Sequence, residues 1–320
     1  MIEQPNIQTK DLKFGGYLVL LLSSFLFGGN VVAARLIAGD IPPVALAALR
    51  GLFGLLILFP LARRSLRQSP TPSRQDLYRF ALMGFLGITV AYASFLWSIQ
   101  YSSATNVSII FAITPSITIS ILALGWGIIP SKLRVFGIVL SFLGLLVVIS
   151  QGSSSRLLAL NIRPSDLVML FNILGVSLFT ILGQGVMAKF PPLVTSVYSL
   201  LFGTIFLLPC GLWEAFHKSW HITGLSMLVL LYMGCFVTGI AVLLNFEGIN
   251  RLGSGKAAIF GNLAPVFGIL LAYIFLGERL SSYHWVGFTL VLVGIGLCLW
   301  TRSTDKKIDP MANLRQETLL

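Results

Sequence analysis

The sequence predicts an all-α integral membrane protein with ten transmembrane helices arranged as two inverted five-helix repeats. Three observations carry this prediction. Of 320 residues, 56% are hydrophobic and only 10% charged, with mean hydropathy +0.90, too apolar for a surface that must face water. The apolar residues fall into stretches of about 20, the helix length that crosses a hydrocarbon core of roughly 30 Å. Finally, helix-breaking residues recur in both halves at a nearly fixed separation.

Taken in order, residues 1–14 (MIEQPNIQTKDLKF) form a polar tail. The apolar run behind it lacks an A-x-A type cleavage site, so span 1 (15–36) is expected to remain as an uncleaved anchor. Span 2 (43–62) starts at Pro42–Pro43 and contains Arg50. Spans 3 (77–100), 4 (105–126) and 5 (133–150) complete a first unit, 15–150, with Pro115 inside span 4. A polar segment at 151–166 leads into a second unit, 164–301. There spans 6 (167–188) and 7 (192–212) meet at Pro191–Pro192, and spans 8 (225–248), 9 (257–277) and 10 (284–301) follow, with Pro265 inside span 9. Residues 302–320 form a second polar tail. The loops are short, and no soluble domain fits between spans.

The net charge of +11 is explained by topology. With the N-terminus in the cytoplasm, cytoplasmic loops and tails hold 16 Lys and Arg and the outer loops 5, with Arg50 inside a span. Both termini are then cytoplasmic, the membrane is the cell (inner) membrane, and the basic charge requires no nucleic acid. Cys210, Cys235 and Cys298 lie in apolar stretches without metal-ligand spacing and read as small core residues.

Sliding residues 84–150 over 234–300 aligns Pro115 with Pro265, Gly127 with Gly277, Gly137 with Gly287 and Gly144 with Gly294. Pro42–Pro43 and Pro60 pair with Pro191–Pro192 and Pro209 at a separation one residue shorter. Five spans per unit is an odd number, so the second unit enters the membrane from the opposite side, an arrangement many secondary transporters use.

The stretches FGGNVVAARLI (27–37), ALRGLFGLL (48–56) and above all LGERLSSYHWVGFTLVLVGIGL (276–297) resemble the drug/metabolite transporter superfamily, specifically EamA-type permeases with two tandem repeats. The first repeat departs from the pattern, with Ile128 where the second has Glu278, and span 1 has Phe27–Gly28 where members commonly have Trp–Gly. The resemblance implies movement of small metabolites, often outward, through a central cavity lined mainly by spans 1, 3, 4, 6, 8 and 9.

Polar residues on those spans are the candidate substrate-binding groups: Asn30, Gln184, Asn245, Asn250 and Asn262, with the aromatic residues Tyr92 and Trp97 on span 3. Amides within a membrane must find partners, in substrate or in neighbouring helices. Glu247 in span 8 reads either as a coupling group or as the i,i+4 partner of Arg251. Arg50 offers a guanidinium fork for a carboxylate or phosphate, or else pairs with Asp40 or caps a neighbouring helix. Pro115 and Pro265 are expected to bend their helices and shape the cavity, with local packing as the plainer alternative. Glu278 is expected to lock the hairpin between spans 9 and 10 by accepting amide hydrogen bonds from the start of span 10.

Two motifs carry less. His217 and His221 stand i,i+4, but two ligands do not make a zinc site. GSGKAA (253–258) lacks the first Gly and the Ser/Thr of a phosphate loop. The expected function is therefore a secondary transporter exporting a small organic metabolite, an amino acid or related compound, by alternating access, with a membrane-embedded enzyme or channel as the alternative. No cofactor, metal or enzymatic activity is expected. The expected partners are a small-molecule substrate, the lipid bilayer and at most a second copy in a homodimer.

Overall fold

Ten helical spans run through the computed structural model, which describes residues 7–126, 130–153, 155, 163–252, 260–261 and 263–300. Spans 1 (Ile7–Leu36), 2 (Pro43–Gln68), 5 (Lys132–Ile149), 6 (Pro164–Met187), 7 (Pro192–His217) and 10 (Ser282–Trp300) are single α-helices. Span 3 joins Arg74–Gly84 and Ala91–Tyr101 through a π-helical stretch, Phe85–Val90. Span 8 joins Gly224–Leu231 and Val242–Leu252 through another, Tyr232–Ala241. Span 4 divides into Ala104–Ala112 and Thr114–Trp126, and span 9 is described as a helix from Leu263 to Leu276. Eight of these spans are long and apolar enough to cross a membrane and two shorter apolar helices complete the set, so the chain is a multi-pass helical membrane protein.

The division of span 4 has a direct cause. Pro115 has no N–H to give to Phe111 O, and the hydroxyl of Thr114 donates to that carbonyl instead, just after the helix ends at Ala112. Pro265, its equivalent, is the third residue of the described helix of span 9.

Contacts exchange between the two halves as an inverted repeat requires. Spans 5 and 10 cross at glycines: a Cβ on Gly137 would lie 2.5 Å from Gly294 O, and one on Gly144 would lie 2.6 Å from Gly287 O. Gly287 and Gly294 are the equivalents of Gly137 and Gly144, so Gly137 meets the equivalent of Gly144, and Gly144 the equivalent of Gly137. The capping boxes that start spans 3 and 8, Ser73–Asp76 and Thr223–Ser226, are likewise equivalent. Asp76 pairs with Lys189, while Ser226 donates to Asp40, the residue equivalent to Lys189.

The π-helical stretches also correspond. At the C-terminal end of each, a carbonyl is occupied by a side chain of the neighbouring span: Asn172 Nδ2 donates to O of Ala91, just after the first stretch, at 2.7 Å, and Ser23 Oγ to O of Ala241, the last residue of the second, at 2.8 Å. A π turn frees a carbonyl from the regular ladder, and inside a membrane that carbonyl needs a donor. The sequence reading did not anticipate either stretch.

The turns at 37–42, 101–104, 218–223 and 277–281 gather at one end of the bundle, the far face; span 1 begins and span 10 ends towards the opposite, terminal face. At the far face the expected partner of Glu278 is corrected. Its carboxylate accepts from Ala104 N (2.8 Å) and Thr105 N (2.9 Å), capping span 4 of the other repeat rather than span 10. Span 10 is capped instead by His284, whose Nδ1 accepts from Ser281 N and whose Nε2–H therefore donates to Asn106 Oδ1 at 2.9 Å. Glu214 does the same for span 2, where Pro42 has no capping side chain: its carboxylate accepts from Val44 N and Ala45 N. Arg35 donates to the last carbonyls of span 3, Ile99 O and Gln100 O, both at 2.9 Å.

Candidate substrate site

Arg50 lies two turns into span 2, with 4% of its surface open. Span 2 comes close enough to the π-helical stretch of span 8 to aim the side chain there because the contact residues are small. A Cβ on Gly54 would strike the side chain of Thr238, and one on Gly234 would lie 3.2 Å from Arg50 O. Arg50 Nε donates to Thr238 Oγ1 at 2.8 Å, and the guanidinium carbon stands 4.2 Å over the centre of the Tyr92 ring. Asp40, the acid considered for it from sequence, is engaged by Ser226 instead. No carboxylate forms an ion pair with Arg50 among the described residues.

Tyr232, at the start of the same π-helical stretch, donates from its hydroxyl to Leu26 O on span 1 at 2.9 Å. One turn further along span 1 is Asn30, whose Oδ1 is buried and has no hydrogen-bond partner among the described residues. Spans 2, 3 and 8 thus bring Arg50, Tyr92, Tyr232 and Thr238 together, and Tyr232 ties the group to span 1 at Leu26 O. Tyr232 and Thr238 were missed from sequence. The repeat alignment held a signal, because Thr238 is equivalent to Ile88 and Arg50 to Ser199, polar against apolar and charged against neutral.

Exposure along span 6 differs between the two ends of the bundle. On span 6, Asp166, Ile173, Ser177, Thr180 and Gln184 share one helical face. The first three, towards the far face, are buried; Thr180 and Gln184, towards the terminal face, are exposed. The equivalent stripe on span 1 runs the opposite way, with Tyr17 exposed near the terminal face and Ser24, Gly28 and Val31 buried beyond it. Equivalent positions therefore differ in exposure according to the end they lie near.

The remaining sequence candidates separate. Asn245 is half-buried on the terminal-face half of span 8. Trp97 packs its ring 4.9 Å from that of Tyr101, towards the far face and away from the Arg50 group. Glu247 is exposed and paired with Arg251 at 2.6 Å. Asn262 and the segment 253–258 lie outside the described residues, as does the side chain of Asn250. His217 stacks on Trp213 and bonds its carbonyl, while the backbone N–H of His221 donates to Asp40 O. Of the cysteines only Cys298 is buried; Cys235 is half-buried and Cys210 exposed, so the reading of all three as core residues is corrected.

Known proteins agree with this architecture. A solved crystal structure superposes with a TM-score of 0.59, covering 91% of this chain and 98% of its own at 16% identity, a likeness of fold alone. The uncharacterized transporter YetK of Bacillus subtilis is 25% identical over 287 residues, 88% of this chain and 86% of the relative. The uncharacterized inner membrane transporter YicL of Salmonella typhimurium is 24% identical over 88% of this chain and 93% of its own length. WAT1-related protein At4g15540 of Arabidopsis thaliana is 25% identical over 83% of this chain and 81% of the relative. The profile of the EamA-like transporter family matches twice, at residues 14–150 and 163–300, once over each set of five spans. With two copies of that family's repeat spanning nearly the whole of its membrane-embedded part, the chain belongs to the EamA-like transporter family.

Proposed function

We propose that this protein is a secondary transporter that exports a small organic metabolite, an amino acid or related compound, by alternating access. In this reading the terminal face is cytoplasmic, and the conformation described above is the state open to the cytoplasm. The observation that carries the proposal is the stripe on span 6, one helical face sealed at the far end and open at the other. Packing agrees with it. Towards the far face, spans 1, 4 and 9 pack on one another and span 4 also packs on span 6. Towards the terminal face, span 4 stays with span 6 and span 1 with span 8. Rocking one repeat against the other about the crossing of spans 5 and 10 would exchange the open end.

Transport and conformation are tested together. Proteoliposomes preloaded with the twenty proteinogenic amino acids are expected to release at least one of them faster than protein-free liposomes. If none is released faster, the amino acid assignment falls. In a chain with Cys210, Cys235 and Cys298 replaced by serine, Thr180→Cys and Gln184→Cys are expected to react with a membrane-impermeant thiol reagent applied from the terminal face. Ile173→Cys should stay unlabelled, and equal labelling at all three sites would reject the one-sided opening. A reporter fused after Leu320 should read cytoplasmic; a signal from the other side would reverse the orientation.

A further inference from the structure

We propose that Arg50 is the receptor for a carboxylate of the transported molecule, an inference that rests on the transporter reading above. A guanidinium has five N–H donors. Among the described residues Arg50 uses one of them, Nε, on the hydroxyl of Thr238. Among the described residues its two terminal nitrogens donate to nothing, and 4% of the residue's surface remains open. The groups around the charge are a hydroxyl and the face of a phenol ring, neither of which carries a countercharge. A cation held in a low-dielectric interior without a counter-ion is unfavourable, and a ring face offsets only part of the cost. A carboxylate bound end-on across Nη1 and Nη2 supplies both the missing charge and the missing acceptors in the geometry that a planar fork fits.

One further observation shapes the ligand. At the pseudo-symmetry-related positions Ser199 of the second repeat and Ile88 of the first stand in place of Arg50 and Thr238, so the pseudo-symmetry provides one anion receptor rather than two. The substrate class that fits is a small molecule with one carboxylate.

The test uses the full-length protein in nanodiscs, melted in the presence of each of the twenty proteinogenic amino acids and of the corresponding amino acid amides, with sodium chloride as an inorganic anion at matched ionic strength. At least one free acid is expected to raise the melting temperature in a saturable way, while its amide and chloride do not. Arg50→Met should abolish the shift and, without ligand, melt no lower than the parent protein, because it removes an uncompensated buried charge. Arg50→Lys keeps the charge but loses the fork, and should raise the half-saturating concentration at least tenfold. The proposal is overturned if no acid shifts the melt, if an amide or chloride matches the acid, or if the shift survives Arg50→Met. It is also overturned if unliganded Arg50→Met melts well below the parent, the mark of a helix-joining strut. Undiminished efflux from Arg50→Met proteoliposomes removes the receptor and leaves the transporter reading standing. Absent efflux from the parent protein, with acid-specific shifts retained, removes the transporter reading alone.

Discussion

Gly144→Leu is expected to reduce sharply the amount of monodisperse protein recovered and to lower the melting temperature of what remains. A first side-chain carbon at Gly144 would stand 2.6 Å from Gly287 O and 2.9 Å from Val291 N, and backbone atoms cannot rotate aside as a long side chain can. The two helices must separate, which loosens a contact that runs along most of spans 5 and 10. Overpacking in a close-packed interior costs about 1–3 kcal/mol, and a clash against backbone belongs at or above the upper end of that range. Gly294→Leu should be as damaging, since it meets Gly137 O at 2.5 Å in the equivalent position. Span 10 supplies its own control: Gly296, two residues away, faces outward with nothing within 4 Å. If Gly296→Leu destabilises as much as Gly294→Leu, the crossing is not the lock between the repeats.

The second large effect is expected at Glu278. Its two bonds to Ala104 N and Thr105 N are charge-assisted, and they join the turn between spans 9 and 10 to the start of span 4 across the boundary between repeats. Glu278→Ala leaves two amides of a first helical turn without an acceptor, a loss of about 0.5–2 kcal/mol for a helix cap. In the proposed reading the far end of the transport path is closed in this conformation, so the loss falls on the closed state. With every 1.4 kcal/mol worth a factor of ten, the balance should shift severalfold towards opening there. In the cysteine-replaced background, labelling of Ile173→Cys from the far face should rise and labelling of Gln184→Cys from the terminal face should fall. A lower melting temperature with both labelling rates unchanged would confine Glu278 to general stability.

Much of the architecture could be read from residue order. Hydropathy placed all ten spans, because each must be apolar over the thickness of the bilayer, and the spacing of Pro115 from Pro265 and of Gly137 from Gly287 exposed the repeat. What stayed hidden depends on partners distant in the chain. Phe85–Val90 and Tyr232–Ala241 look like ordinary apolar helix, and their π geometry is tied to Asn172 and Ser23 arriving from other spans. Glu278 was recognised as a capping residue, but its nearest helix in sequence was assumed to be its target, whereas the free amides it meets belong to a helix more than 170 residues earlier. Arg50 stands out in the sequence as a charge inside a span, but span 2 is not among the spans that the family resemblance places around the cavity. Its neighbours Thr238 and Tyr92 come from spans 8 and 3, and only the three-dimensional arrangement brings them to it.

The reciprocal glycine contacts between spans 5 and 10 have a consequence for assembly. Geometrically the chain is an antiparallel dimer of five-helix protomers made permanent by the segment 151–163. Cut there and produced as two separate polypeptides, residues 1–150 and 164–320 should find each other, because the surfaces they need are already self-complementary. Two copies of a single half could meet through the same glycines, yet neither such pair would rebuild the charged centre. The first half supplies Arg50 and the second supplies Thr238 and Tyr232, so the split protein should regain ligand binding only when both halves are present.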